Sequence, residues 1–258
     1  MIYPVLQKNN LTGAPVKVNG VKICGDINAL SLKVFKSYGI NVSGDYNVTV
    51  KLTDTRATTY IEELRRLSPE KYIITVKNDG AVIEASTEKG AFRGLNTLCK
   101  LINDNSLCEG NVLDYPVFET RGYIEGFYGP TWEHSKRLSV MSLMAKYGMN
   151  TYFYAPKDDI YHREKWRELY PEKDLADLKI LVDYAKENYF DFNWCIGPGL
   201  SYKYTSVEDF NLLINKIKSI YNIGVRGFGL LLDDIPWEFQ YPEDAEKYDG
   251  IVDAHIDL

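Results

Sequence analysis

Gly227-Phe228-Gly229-Leu230-Leu231-Leu232-Asp233-Asp234-Ile235 is an apolar run that opens on glycine and stops at two adjacent carboxylates. A short apolar run of this kind reads as a strand buried on both faces. Two ionised carboxylates at the end of such a strand are costly. Side by side in a half-buried setting they repel, so the pKa of at least one is expected to rise. One residue type then supplies both an acid and an anion. Taken alone, the pair also fits helix caps or a solvated loop, and the segments upstream bear on that choice.

Working back from this run, strand and helix patterns alternate. Arg121 to Glu125 reads as a strand entering Gly126-Phe127-Tyr128-Gly129-Pro130, and Thr131 to Tyr147 as a helix with Leu138, Met141, Met144 and Tyr147 on one stripe. Asn150 to Tyr154 is the next strand, Leu175 to Asn188 a helix, Phe190 to Ile196 a third strand entering Gly197-Pro198-Gly199, and Val207 to Tyr221 a helix. Strands begin about every 30 to 40 residues, which argues for right-handed βαβ units and a parallel sheet. An open doubly wound sheet and an eight-fold barrel both fit, and in both the carboxyl edge of the sheet hosts the chemistry. The first loop lacks the G-x-G-x-x-G spacing, which counts against a dinucleotide site.

The preceding residues, 1 to about 117, read as an α+β supporting domain. Val16 to Ile23 is a strand interrupted at Asn19-Gly20, Asn28 to Tyr38 a helix, Tyr46 to Leu52 an alternating strand and Thr59 to Leu67 a helix. Lys71 to Ser86 is a hairpin about Asn78-Asp79-Gly80, and Gly90 to Ile102 a helix. Asn111 to Pro116 reads as the linker to the second domain, 118 to 258.

Composition narrows the function. The 258 residues carry a net charge of −6, which disfavours nucleic acid as the main partner. No run approaches the roughly 18 apolar residues of a membrane span. The N-terminus lacks the form of a signal peptide, so either the protein stays inside the cell or the true start is missing, and the compartment is left open. Cys24, Cys99, Cys108 and Cys195 read as buried thiols, and His134, His162 and His255 have no metal-site spacing. No metal and no cofactor are expected.

Four motifs occur in order: Glu125-Gly126-Phe127-Tyr128-Gly129 with Trp132; Tyr154-Ala155-Pro156-Lys157-Asp158-Asp159 with His162-Arg163, Trp166-Arg167 and Tyr170-Pro171; Gly197-Pro198-Gly199-Leu200; and Leu232-Asp233-Asp234-Ile235. Together, over about Phe118 to Ile235, they resemble glycoside hydrolase family 84, the O-GlcNAcases and bacterial β-N-acetylglucosaminidases often labelled hyaluronidases. The resemblance implies a (β/α)₈ barrel that removes N-acetylglucosamine from a β-glycoside of a glycan or glycoprotein, with retention. The substrate's own acetamido oxygen attacks the anomeric carbon and forms an oxazoline, an exception to the usual carboxylate nucleophile. By position Asp233 matches the acetamido-orienting residue and Asp234 the general acid. Gly126 matches the glycine whose bare backbone admits the sugar, and Lys157 the lysine that hydrogen-bonds a sugar hydroxyl. The Asp233 charge, with burial, is expected to hold Asp234 protonated near neutral pH.

Of the other motif residues, Asp158 and Asp159 read as loop and cap residues, and Glu125 as an inward carboxylate held by an arginine. His162, Arg163, Trp166 and Arg167 read as a packed ion-pair and stacking cluster, and Trp132 as a helix-start packing residue. Two departures stand out. Gly129-Pro130-Thr131-Trp132 exchanges the proline with its neighbour relative to the family pattern. Only four of eight barrel strands are present, and the acidic tail Glu238 to Leu258 shows no fifth-strand pattern. The fold expectation is therefore an α+β domain followed by about four βα units, a truncated first half of a barrel, with an exposed sheet edge and apolar surface. A missing C-terminal half or a partner chain would complete it. The alternative function is a catalytically inactive remnant that binds N-acetylhexosamine. A metal phosphohydrolase using Asp233-Asp234 lacks further well-spaced ligands.

Overall fold

The computed structural model describes residues 3–53 and 68–258. The helix expected over Thr59 to Leu67 lies outside the described residues. The chain divides into two compact units, Met1–Glu119 with Lys146–Gly148, and Thr120–Ala145 with Met149–Leu258.

The first unit is built on a mixed sheet. Its strands are β1 (Lys8–Asn10), β3 (Val21–Gly25), β4 (Tyr46–Leu52), β5 (Tyr72–Lys77), β6 (Gly80–Ala85) and β8 (Gly110–Asp114), in the order β1-β8-β5-β6-β4-β3. Two further strands, β2 (Pro15–Lys17) and β7 (Ser106–Cys108), pair separately. Helices α1 (Asn28–Ser37) and α2 (Glu88–Leu101) carry the apolar cover. Alternation does the work expected of a half-buried strand: Val48, Val50, Ile74 and Ile83 are fully buried with Leu95 and Leu98 of α2. The hairpin forms as read, with Lys77 opposite Gly80. Thr87 caps α2 by accepting from the Gly90 amide at 3.1 Å.

Two readings in this unit are corrected. Val16 to Ile23 is not one interrupted strand, because β2 and β3 belong to different sheets. Residues 110–114 are not linker: β8 pairs with β5 and β1 inside the main sheet. Its partners lie far away in sequence, so no local pattern marks it as a strand. The four cysteines are free, with Cys99 and Cys195 buried and Cys24 and Cys108 half-buried.

The second unit is a parallel sheet. Its strands are β9 (Gly122–Glu125), β10 (Thr151–Tyr154), β11 (Asp191–Ile196) and β12 (Gly227–Leu230), and they lie side by side in chain order. The connecting helices are α3 (His134–Lys146), α4 (Glu172–Glu187) and α5 (Val207–Asn222). Two short helices, α6 (Pro242–Lys247) and α7 (Ile251–Asp257), follow β12. Tyr154 is in register with Glu125 on one side and Trp194 on the other, so the loops after these strands open on one edge.

The founding stretch is corrected here. β12 is an edge strand, and Leu230 is 43% exposed. Its glycines exist for the neighbouring strand: a Cβ at Gly227 would stand 1.8 Å from Asn193 Oδ1, and one at Gly229 2.6 Å from Cys195 Sγ. The intervening Phe228 meets Trp194 edge-on at 6.5 Å. The opposite edge strand, β9, leaves Ile124 60% exposed. No helix among the described residues is long and apolar enough to cross a membrane.

Candidate active site

At the carboxyl edge of the parallel sheet the loops after β10 and β12 bring together Lys157, Asp233 and Asp234. Lys157 Nζ lies 3.3 Å from Asp233 Oδ2 and 3.6 Å from Asp234 Oδ2. The lysine side chain is only 7% exposed, whereas the aspartates are 60% and 50% exposed. A covered cation thus faces two open carboxylates. Its pairing is with these residues and not with its sequence neighbours Asp158 and Asp159.

Gly126 starts the loop after β9, two residues before Tyr128. A Cβ on Gly126 would meet Ile124 Cγ2 at 3.1 Å and nothing else nearer than Ala155 O at 4.0 Å. Packing within the chain therefore gives only a mild reason for glycine there.

Tyr128 and Arg163 join the site, and the sequence reading missed both. The Tyr128 hydroxyl donates to Asp234 Oδ2 at 2.9 Å. Arg163 donates from Nη1 to the Tyr128 hydroxyl and from Nη2 to the Asp234 carbonyl, each at 2.9 Å. Both Lys157 and Arg163 lie over the Tyr128 ring, at 5.9 and 5.6 Å. The signal for Tyr128 was a bulky polar side chain in a glycine-rich loop. Arg163 was assigned to the neighbouring cluster because it stands beside His162 and Trp166 in the chain.

This surrounding reverses the expected titration. The Tyr128 hydroxyl, helped by Lys157 and Arg163, holds the Asp234 carboxyl below the ordinary carboxylate range. Partial desolvation acts in the raising direction and is outweighed by these partners. The physical reason is the partners: a carboxylate that accepts a hydroxyl hydrogen bond and faces two cations is stabilised as the anion. Asp234 also has φ +55°, a left-handed backbone that is uncommon outside glycine and that aspartate, with asparagine, tolerates best among the other residues.

Several other motif residues make contacts within the unit. Glu125 is fully buried and receives Arg137 Nε and Nη2, both at 2.8 Å, and the Tyr152 hydroxyl. Asp159 accepts the Tyr154 hydroxyl at 2.8 Å and the Tyr170 hydroxyl at 2.7 Å, and caps the turn at the Tyr161 amide at 2.9 Å. Trp132 stacks on Tyr123 at 5.3 Å. Arg167 pairs with Asp209 at 2.7 Å and lies 4.3 Å over Trp166, as a stacking cluster should. His162 does not ion-pair. It is buried, its Nδ1 lies 2.7 Å from the Cys195 carbonyl, and burial lowers its pKa, which makes it a neutral imidazole with its proton on Nδ1. Among the described residues no group of three or more His, Cys, Asp or Glu is arranged to hold a metal ion.

Residues 121–258 match the family model described as beta-N-acetylglucosaminidase, and residues 12–115 match that of glycosyl hydrolase family 20, domain 2. The chain therefore belongs to the β-N-acetylglucosaminidase family, among the glycoside hydrolases of family 84. It is 38% identical over 137 residues to Protein O-GlcNAcase of Rattus norvegicus, a match covering 53% of this chain and 15% of that protein. The structure of CpGH84B superposes with a TM-score of 0.78 at 34% identity, over 92% of this chain and 44% of that one. An O-GlcNAc hydrolase mutant of Thermobaculum terrenum superposes with a TM-score of 0.53 at 41% identity, over 54% of this chain and 30% of that one. The chain thus spans less than half the length of each of these proteins.

Proposed function

We propose that the second unit carries the site of a retaining β-N-acetylglucosaminidase, and that the first unit supports it. The observation that carries this reading is the covered Lys157 ammonium within 3.3 and 3.6 Å of two open, adjacent carboxylates at the carboxyl edge of a parallel sheet. Asp233 accepts from the acetamido N–H and turns the acetamido oxygen toward the anomeric carbon. That oxygen forms a bond to the carbon as the bond to the aglycone breaks, and Asp234 gives its proton to the departing oxygen. Asp234 then takes a proton from the water that attacks the anomeric carbon and opens the oxazoline. Lys157 moves from the aspartates to a sugar hydroxyl, and Gly126 leaves room for the ring.

General acid catalysis needs Asp234 protonated in the substrate complex, whereas the free site favours the anion. A bound sugar supplies the shift by drawing off Lys157 and excluding water from the carboxylates. The four strands are proposed as consecutive βα units of a (β/α)₈ barrel. Their unreversed order supports a barrel over a doubly wound sheet, in which the order reverses at a switch point. Further strands, from the same gene product or a partner chain, would pair the open edges of β9 and β12. A second reading, a remnant that binds N-acetylhexosamine without turnover, is favoured by the exposure of both aspartates, since half a sugar cradle orients its substrate poorly.

The test is release of a fluorescent leaving group from its β-N-acetylglucosaminide by the purified chain, with Asp234→Ala as control. Turnover that falls about 10²–10⁴-fold in the variant supports the enzyme. Equal turnover in both removes Asp234 from the mechanism. No turnover from the folded chain, with saturable binding of N-acetylglucosamine, favours the remnant.

A further inference from the structure

We propose that Arg163 is the positioning residue of this site: its guanidinium fixes Asp234 at two points, directly at the backbone carbonyl and through Tyr128 at the carboxylate. The inference rests on the reading of Asp234 as general acid. Its geometry stands on its own.

The left-handed backbone at Asp234 is a minority conformation for any residue but glycine, one that contacts with its surroundings select. In β12 the ladder to β11 ends at the Ile196–Leu230 pair, and a last amide, Leu231 N, donates to the Ile196 carbonyl at 2.8 Å. Ile235 packs beyond, against Gly199, where a Cβ would stand 2.8 Å from Ile235 Cγ2. Between these two anchors the Arg163 Nη2 bond to the Asp234 carbonyl is the hold on the turn itself. The second arm of the fork, Nη1, fixes the Tyr128 hydroxyl as an acceptor. The hydroxyl proton is thereby committed to Asp234 Oδ2. One planar cation thus sets both the backbone angle of the acid and the oxygen on which it is held. Tyr128 occupies Oδ2, which assigns the transferable proton to Oδ1.

Arginine suits this place because two N–H groups leave its planar fork in fixed directions, while lysine offers a single point charge. The charged or titratable groups facing the Asp234 carboxylate are Tyr128, Lys157 and Arg163, with Asp233 adjacent. Lys157 touches the same oxygen but lies farther away, at 3.6 Å, and is shared with Asp233.

The test follows the Asp234 side-chain carboxyl carbon by NMR across pH in the full chain, for wild type, Arg163→Ala, Arg163→Lys and Tyr128→Phe. Wild-type Asp234 is expected to titrate below the ordinary carboxylate value of about 3.9. The midpoint is expected to rise toward that value in Arg163→Ala and Tyr128→Phe, with Arg163→Lys between. Where the chain turns over, kcat in Arg163→Ala is expected to fall about tenfold or more with KM within about twofold, as for an interaction expressed in the transition state. A wild-type midpoint in Arg163→Ala overturns the proposal. If that variant does not fold, the same result in Arg163→Lys overturns it. Retained turnover in Asp234→Ala removes the general-acid reading alone, because the titration judges the clamp without any activity.

Discussion

Two carboxylate clusters sit along one sheet edge, and each combines an acid, a cation and a tyrosine. Around Glu125, Arg137 and Tyr152 close a fully buried set in which the two guanidinium bonds are 2.8 Å. Around Asp234, Lys157, Arg163 and Tyr128 leave the carboxylate half exposed, with contacts of 2.9 to 3.6 Å. The same residue types therefore do opposite things. A buried carboxylate whose lone pairs are all taken has no room for a ligand. An open one with a replaceable partner keeps that room.

The difference is broken most forcefully from the buried side. Glu125→Ala leaves Arg137 as an uncompensated buried charge, a loss on the order of 3–5 kcal/mol. Its urea midpoint should fall accordingly, while Asp234→Ala should unfold close to wild type. If the two variants melt alike, the division into a structural and a functional carboxylate fails. In turnover the order should invert, with Asp234→Ala the more damaging per folded molecule.

Within the open cluster, Asp233→Asn keeps size and hydrogen bonding but not charge. Its kcat is expected to drop about 10²-fold through misorientation of the acetamide. Lys157→Ala, which would remove the proposed sugar contact, is expected to raise KM more than it lowers kcat. Steady-state kinetics on an aryl β-N-acetylglucosaminide separates the two. The same loss of kcat in both variants would show that Lys157 orients the aspartates and does not bind the sugar.

Much of this edge was legible because it depends on short spacings. Asp233-Asp234 at the end of an apolar run and Lys157 at the end of another strand mark the loops that meet. The parallel pairing of β9 to β12 follows from periodic strand and helix. What stayed hidden depends on contacts between distant loops. Tyr128 and Arg163 stand 35 positions apart and meet only over the Asp234 turn. The depressed titration of Asp234 follows from its partners, which the run Gly227 to Ile235 does not reveal. That run also suggested burial on both faces, since apolar residues in an edge strand read the same as those in a central one. In the first unit β8 was invisible for a related reason: Gly110 to Asp114 becomes a strand through β5 and β1.

The smallest effect lies at a third charged group, buried without a carboxylate partner. Lys216 of α5 is fully buried. Its ammonium donates to the Glu168 carbonyl and lies over the rings of Tyr170 and Tyr161 at 4.3 and 5.2 Å. Burial pushes its pKa down to about 8, against an ordinary value of about 10.4 in the unfolded chain. Between these two values the unfolded chain binds the proton more tightly than the folded one, so this lysine makes folding more favourable as pH rises from 8 toward 10. Lys216→Met removes that slope. The difference in urea midpoint between wild type and Lys216→Met, measured at pH 7, 8, 9 and 10, should favour the variant most at pH 7 and shrink through the window. A difference that stays constant would mean that the carbonyl and the two tyrosine rings offset the burial, leaving Lys216 charged in the fold.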